Sequence, residues 1–278
     1  MQGNCVHQNY VLSEGDELLV RIREQGSRGQ VVPVKLPIDI VYEDEDLLVI
    51  NKAAGMPVHP SRNNFDNSLG NALAWYFREK GQPFVFRCIN RLDRDTSGLT
   101  VVAKHMVSAA VLSRMVAQKT DKDTKNKMTR EYLAIVDGIL EPHEGIVSAP
   151  IARKEDRCLM RAVDFEKGER AITHYRVKEV KENMSLVTLW LETGRTHQIR
   201  VHMQYLGHPL LGDFLYHPLY AANQTDRTDG CQKKDAGKLP IGRQALHAYR
   251  LSFPHPVTGK YMEFHAPVPE DMRELWRK

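Results

Sequence analysis

The chain has 278 residues, of which 42% are hydrophobic and 27% charged, a balance ordinary for a globular protein of one large domain or two smaller ones. It contains no apolar run near twenty residues and no basic-then-apolar start, so we expect neither a transmembrane helix nor a secretory signal. The net charge of +4 is compatible with a polyanionic partner without requiring one.

The four cysteines indicate neither a disulfide framework nor a zinc site. They are widely separated and form no C-x-x-C pair. We therefore expect a protein of the cytoplasm.

The first 35 residues are predicted to form a short arm. Residues 13–16 favour a turn, 18–22 a strand and 26–30 a linker. The segment is similar to the tail of an S4-type RNA-binding module but lacks the helices that such a module needs. We interpret 1–35 as an N-terminal arm and 36–278 as the main domain.

Two strands and a helix are predicted next. Strands at 38–42 and 47–51 flank the acidic turn 43–46. A helix is predicted over 66–80, and its core face is formed by three residues at i, i+4 and i+7: Leu69, Leu73 and Tyr76.

A charged loop followed by a buried strand comes near residue 100. Residues 99–103 are apolar and β-branched, as in a buried strand, and 95–98 favour a turn in which Gly98 takes a positive φ. Just before this turn, Arg91 and Asp93 belong to a six-residue run with two guanidiniums and two carboxylates. Such a loop would hold a carboxylate at the floor of a cleft, although Asp93 and Arg91 could equally form a surface ion pair.

A helix, a strand and two basic segments follow. Residues 108–118 favour a helix, and 129–138 favour a strand that contains Tyr132 and ends at glycine. Tyr132 would be a packing residue in most sheets. Residues 119–130 and 152–161 are rich in Lys and Arg, which suits either solvated loops or phosphate contacts.

A second charged motif stands at the start of a predicted helix, after strands at 171–177 and 185–191. Thr196 is the expected N-cap, and Gly207 marks the C-terminal end. The core stripe is at i, i+4 and i+7: Ile199, Met203 and Leu206. Arg200 lies beside this stripe, where its guanidinium can enter a cleft, and Arg195 lies where the helix start favours an anion.

No metal site is predicted. His197 and His202 are five residues apart, a spacing that does not place two rings on one helix face. Beyond them we predict a polar loop at 221–238, strands at 243–253 and 261–267, and a terminal helix at 269–277.

Two of these segments, in this order, resemble the signatures of the RluA-type pseudouridine synthases. The first segment is Arg91-Leu92-Asp93-Arg94-Asp95-Thr96-Ser97-Gly98-Leu99, and the second is the run from Leu191 to Asp213. The resemblance extends from about residue 36 to residue 269. Two positions depart from the family pattern: Asn90 stands where His is more usual, and Ala53 stands where Pro follows the Lys.

The resemblance implies the fold, the reaction and the site residues. It implies an α+β domain, with a mixed, largely antiparallel central sheet, flanking helices and a central active-site cleft. It implies isomerisation of uridine to pseudouridine in structured RNA, without cofactor or metal, with Asp93 as catalytic residue. Arg200 would keep Asp93 ionised, and Tyr132 would stack on the flipped base. The expected RNA contacts are Asn90, Arg91, Thr96, Arg195, Thr196 and Gln198.

The expected substrate is ribosomal RNA, with transfer RNA as the other possibility, and the expected state is a monomer that binds no membrane. The residues are compatible with two other hypotheses about the function. One is a catalytically silent RNA-binding protein of the same fold, suggested by Asn90, Ala53 and the short arm. The other is a glycoside hydrolase that uses Asp93 and Asp95, whose two-residue separation suits that chemistry poorly.

Overall fold

A computed structural model describes most of the chain: residues 6–7, 9–17, 19, 31–61, 64–117, 127–154, 159–221 and 240–277. Several predicted segments lie wholly or largely outside these ranges. They are the strand at 18–22, the linker at 26–30, the loop at 221–238 and much of the two basic segments.

Nine strands form one sheet in the part of the chain that the structure describes. They are β1 (Ile40–Glu43), β2 (Leu47–Lys52), β3 (Ser97–Ala103), β4 (Thr129–Asp137), β5 (Glu144–Ser148), β8 (Ile172–Lys181), β9 (Met184–Leu191), β10 (Leu246–Pro254) and β11 (Tyr261–His265). The order is β1-β2-β3-β10-β4-β9-β8-β5, and β11 pairs with β10. A separate hairpin is formed by β6 (Ile151–Arg153) and β7 (Arg161–Val163).

The sheet is mixed and largely antiparallel, as expected. Within the described sheet, β3 and β10 are the one parallel pair. All seven residues of β3 are buried, in agreement with its apolar sequence.

The turn before β3 lies two residues earlier than predicted. The N–H of Thr96 donates to the carbonyl of Asp93 at 3.1 Å, and β3 already begins at Ser97. Gly98 has the expected positive φ, +109°, but inside the strand, where a Cβ would lie 2.3 Å from the carbonyl oxygen of Ala248. Glycine is therefore required here by the close approach of β10 as well as by its backbone angle.

Two helices cover the two faces of β2 and β3. Helix α1 (Leu69–Glu79) is shorter than predicted because Ser68 and Asn71 form a capping box at its start. Leu69 and Leu73 face the core, as predicted. The third core residue is Phe77, whereas the sequence predicts Tyr76, which is only partly buried. Helix α2 (Met106–Ala117) buries Leu112 and Met115 on the opposite face.

Three further helices follow in the described part of the second half of the chain. They are α3 (Gln198–Tyr205), α4 (Pro218–Ala221) and α5 (Glu270–Arg277). Ile199 and Met203 of α3 pack against one face of β4, and Met272 and Leu275 of α5 share a cluster with Ile135 on the other. None of the described helices combines the length and apolar character needed to cross a membrane.

Candidate active site

A cleft of about 440 Å³ opens where three loops meet. The loops follow β2, precede β3 and connect β9 to α3. The lining residues are Pro57, Val58, His59, Cys88, Ile89, Arg91, Leu92, Asp93, Arg94, Gly194, Arg195 and Thr196. The two charged motifs of the sequence therefore face each other across one cavity.

The loop that carries Asp93 is fixed from beneath by Lys52 and Asn90. The Lys52 ammonium donates to the carbonyls of Ala53, Met56 and Arg94 at 2.8, 2.8 and 3.0 Å, which joins two walls of the cleft. Burial lowers the pKa of Lys52 to about 7, although the charges of Asp95 and Asp93 oppose that shift. Asn90 donates to the carbonyl of Leu99 and accepts from the N–H of Val101, so it ties the loop to β3.

A buried guanidinium stands behind Asp93. Arg200, with a side chain 6% exposed, donates from Nη1 to Oδ2 of Asp93 at 3.1 Å. Its Nε and Nη2 donate to Asp213, at 2.6 and 2.8 Å, and the Asp213 side chain is fully buried. Asp213 also accepts from the N–H groups of Leu215 and Tyr216. Asp213 thus fixes Arg200 in place, and Arg200 donates its remaining hydrogen bond, from Nη1, to Asp93.

The charge of Arg200 is permanent. Burial would lower the pKa of Arg200, but the hydrogen bonds and charge of Asp213, together with Asp93, raise it above its ordinary value. A fixed positive charge therefore lies next to the carboxylate of Asp93 and orients it. The Asp93 side chain is 25% exposed, and its Oδ1 makes no hydrogen bond within the described residues.

His197 and Tyr216 complete the surroundings of Asp93. The Tyr216 ring lies 4.9 Å from the guanidinium of Arg200, and its hydroxyl accepts from the N–H of Arg161. That hydroxyl also forms a hydrogen bond with Nδ1 of His197, 2.7 Å away. Burial lowers the pKa of His197, so this ring is neutral, and its Nε2 lies 3.9 Å from Oδ2 of Asp93.

Tyr132 lies in the core directly beside the cleft. It packs in one cluster with Leu92 and Val58, which line the cleft. Burial raises the pKa of Tyr132, and the charge of Asp93 acts in the same direction. The phenol is therefore protonated at neutral pH.

The predicted RNA contacts divide into two groups. Arg91, Arg195 and Thr196 line the cleft. Asn90, Thr96 and Gln198 are buried, and their side chains bond to the protein itself.

The prediction of Thr196 as N-cap is wrong, because the cap is His197 in a left-handed conformation with φ of 58°. Gln198, the first residue of α3, fixes the loop that precedes the helix. Its Oε1 accepts from the N–H of Arg195 and from the hydroxyl of Thr193. The side chain of Arg195 itself pairs with Glu169 and the carbonyl of Arg170, beside the cleft.

Sequence reasoning missed four residues of this assembly: Lys52, His197, Asp213 and Tyr216. Asp213 stands at the end of the second motif, so its membership in that motif was a usable signal. Lys52 is the last residue of the largely apolar strand β2, where a lone lysine signals a buried cation that needs polar partners.

One group among the described residues brings three potential metal ligands together: Asp44, Asp46 and His255. Nδ1 of His255 accepts from the N–H groups of Val257 and Thr258, so Nε2 carries the proton, which it donates to Asp44. A protonated nitrogen cannot ligate a metal, and the group is better described as a hydrogen-bonded tie between two turns. His202, considered above as a ligand, bonds to Thr173 and to the carbonyl of Ala149.

Comparisons with known proteins show which family this chain resembles. A family model described as RNA pseudouridylate synthase matches residues 46–205, which include both motifs as far as Tyr205. The RNA pseudouridine synthase YjbO of Bacillus subtilis strain 168 is 42% identical over 99% of this chain and 88% of its own length. Ribosomal large subunit pseudouridine synthase D of Zymomonas mobilis is 44% identical over 88% of this chain and 74% of its own.

A solved structure has the same fold. Human RNA Pseudouridylate Synthase Domain Containing 4 superposes with a TM-score of 0.63 and 25% identity, and covers 86% of this chain and 92% of its own.

Proposed function

Because the chain belongs to the RNA pseudouridylate synthase family and is therefore an RNA-modifying isomerase, we propose that Asp93 carries the reaction and that the substrate is a uridine of large-subunit ribosomal RNA. The position of Asp93 carries the first part of this proposal. Its carboxylate is held by Arg200 on one oxygen and lies in a cleft formed by both motifs. The names of relatives such as the Zymomonas mobilis protein support the second part.

The reaction demands little beyond a fixed carboxylate. The N1–C1′ bond of uridine breaks, the uracil turns, and C5 joins C1′ while C5 loses its proton and N1 gains one. No group is imported and no net oxidation occurs. An ionised Asp93 is suited either to attack the sugar or base carbon or to relay the proton, and Oδ1 is the oxygen left for this work.

The neighbours of Asp93 have separate roles in this proposal. Arg200 keeps the carboxylate charged and oriented, and Asp213 orients Arg200 in turn. Tyr132 offers a protonated phenol and an aromatic face to the flipped base. Arg91, Arg195 and Thr196 contact RNA from the cleft walls, whereas Asn90 and Gln198 act by holding the loops.

The glycoside hydrolase reading finds no support. Asp95 pairs with Arg94 at 2.9 Å and does not line the cleft. The second carboxylate of such an enzyme would have to face the first across the substrate.

We extend the proposal to the whole molecule. Residues 36–278 form the catalytic domain and 1–35 an accessory arm, and the basic segments at 119–130 and 152–161 contact phosphates. The enzyme works as a monomer in the cytoplasm and uses no metal.

The experiment is pseudouridine mapping of total RNA, by carbodiimide modification and primer extension, in cells with and without this gene. We expect one or a few sites in large-subunit ribosomal RNA to disappear on deletion and to return with the wild-type gene. Return of those sites with an Asp93→Asn gene would contradict the role of Asp93. Sites lost from transfer RNA alone would contradict the substrate, and an unchanged map with retained RNA binding would favour a silent RNA-binding protein.

A further inference from the structure

Arg130 is a buried arginine without a partner among the residues that the structure describes. It lies on β4 and is 8% exposed. Its guanidinium makes no hydrogen bond or ion pair with any residue that the structure describes, and its buried Nε has no acceptor. Arginine stays protonated in proteins, so this charge cannot be removed by loss of a proton.

The other two arginines that are buried in the described part of the chain have carboxylate partners. Arg200 shares its charge between Asp213 and Asp93, and Arg243 donates twice to Asp271. A buried cation is normally paired because its desolvation is otherwise uncompensated. We therefore infer that the negative charge that compensates Arg130 comes from a bound ligand.

Arg130 also lies at the wall of the active-site cleft. A Cβ on Gly194, which lines the cleft, would lie only 3.2 Å from Nη1 of Arg130. Side chains alternate along a strand, so Arg130 shares a face of β4 with Tyr132, two residues on. The charges of Arg130 and Asp93 both act on the pKa of Tyr132, in opposite directions.

We propose that Arg130 binds a backbone phosphate of the RNA beside the flipped uridine. This proposal depends on the proposed function, because RNA is the ligand that brings the phosphate. A phosphate fits the site better than a uracil oxygen, since a buried guanidinium without any carboxylate is compensated by a full negative charge and by two parallel hydrogen bonds. The bare backbone of Gly194 leaves room on the cleft side, where a side chain would contact Nη1.

The test compares Arg130→Met, Arg130→Lys and a matched control, Arg250→Met. Arg250 lies on the neighbouring strand and pairs with Glu131 and Glu263, so it already has its counter-charges. Affinity for an unmodified transcript of large-subunit ribosomal RNA is measured against salt concentration, in an Asp93→Asn background that converts no uridine. Urea unfolding is measured for the same variants.

We expect Arg130→Met to bind at least 10-fold more weakly at low salt and to reduce the slope of log affinity against log salt by about 0.7, the value for one phosphate contact to a single strand. Arg130→Lys should recover most of the slope, because lysine restores the positive charge, although it lacks the paired N–H donors of a guanidinium. The urea midpoint of Arg130→Met should not fall, since an uncompensated charge is removed. Arg250→Met should leave the slope unchanged.

An unchanged slope in Arg130→Met, or a lower urea midpoint with normal RNA binding, would overturn the phosphate role and make Arg130 a structural residue. A failure of the proposed function is distinguished separately. In that case the wild-type enzyme would form no pseudouridine in the transcript, whereas the binding slopes need no turnover.

Discussion

Replacement of Asp213 by Asn should lower both the stability and the rate of the enzyme, although Asp213 is fully buried and lies behind Arg200 as seen from Asp93. The change is isosteric and removes one charge. The Oδ1 of Asp213 accepts from Nη2 of Arg200 and from two backbone N–H groups, a set that the amide oxygen of Asn can still satisfy. The amide nitrogen would then face Nε of Arg200, which now donates at 2.6 Å, so two donors would meet.

The magnitude follows from burial. Loss of one partner from a buried ion pair costs about 3–5 kcal/mol. Because Asn keeps part of the hydrogen bonding, we expect the lower end, about 3 kcal/mol, or a fall in melting temperature of roughly 10 °C for a domain of this size. Arg200 would then be held by Asp93 alone. A misplacement of the carboxylate of the order of 1 Å would reduce the rate by about 10²-fold.

The assay combines urea unfolding with single-turnover release of tritium from RNA labelled at C5 of uridine. Asp271→Asn is the matched control, because Asp271 also accepts two bonds from one arginine but its side chain is 43% exposed. The control should lose clearly less than Asp213→Asn, because Arg243 is buried but water reaches the half-exposed carboxylate of Asp271. Equal losses in the two variants, or an Asp213→Asn enzyme with wild-type stability and rate, would refute the anchoring role of Asp213.

Two other predictions concern the central strands. Gly98→Ala should prevent folding, because its Cβ would collide with the backbone of Ala248. Gly55 also has a positive φ, +83°, but open space around it, so Gly55→Ala should lower the free energy of unfolding by only about 1 kcal/mol. Soluble yield and thermal unfolding of the two variants test this difference. Burial lowers the pKa of His247 from 6.5 to about 4, so the unfolded chain binds this proton more readily. Stability should therefore fall as pH decreases from about 6.5 towards 4, by about 2 kcal/mol at pH 5, and urea midpoints at pH 7 and pH 5 should differ less in His247→Gln; an equal difference would exclude His247 as the cause.

The regular elements follow from local patterns, which is why the sequence predicts them well. The strand β4 ends at Asp137, one residue before its predicted end at Gly138, because a buried apolar run meets a glycine with positive φ. The two motifs meet in one cleft, as the resemblance implies. Boundaries fail where the backbone departs from its expected path: α3 begins after His197, whose φ of 58° is left-handed, rather than after Thr196.

Contacts between distant side chains were not predictable from local patterns. Asp213 reaches Arg200 only because the chain reverses after α3, through two glycines with positive φ, Gly207 and Gly212. Asn90 is polar and directly precedes the first charged motif, which suggests a ligand contact, yet its amide satisfies buried groups of β3. A sequence does not distinguish a polar side chain that faces solvent from one that bonds to a buried strand.

Arg130 is a different case, since a signal existed. It stands two residues before Tyr132 in a strand, so the alternation of side chains places both on one face. What the sequence could not supply is the absence of a counter-charge among the described residues, which depends on every element packed around the guanidinium.

The most direct test of the central claim is single-turnover tritium release by purified wild-type enzyme and Asp93→Asn on the same C5-labelled large-subunit ribosomal RNA. Binding and urea unfolding are measured in parallel. We predict release by the wild type and none by Asp93→Asn, with equal RNA affinity and an intact fold, because Asn preserves the shape but not the charge or the nucleophilic oxygen. Release at the wild-type rate by Asp93→Asn would contradict the assignment of the reaction to this carboxylate.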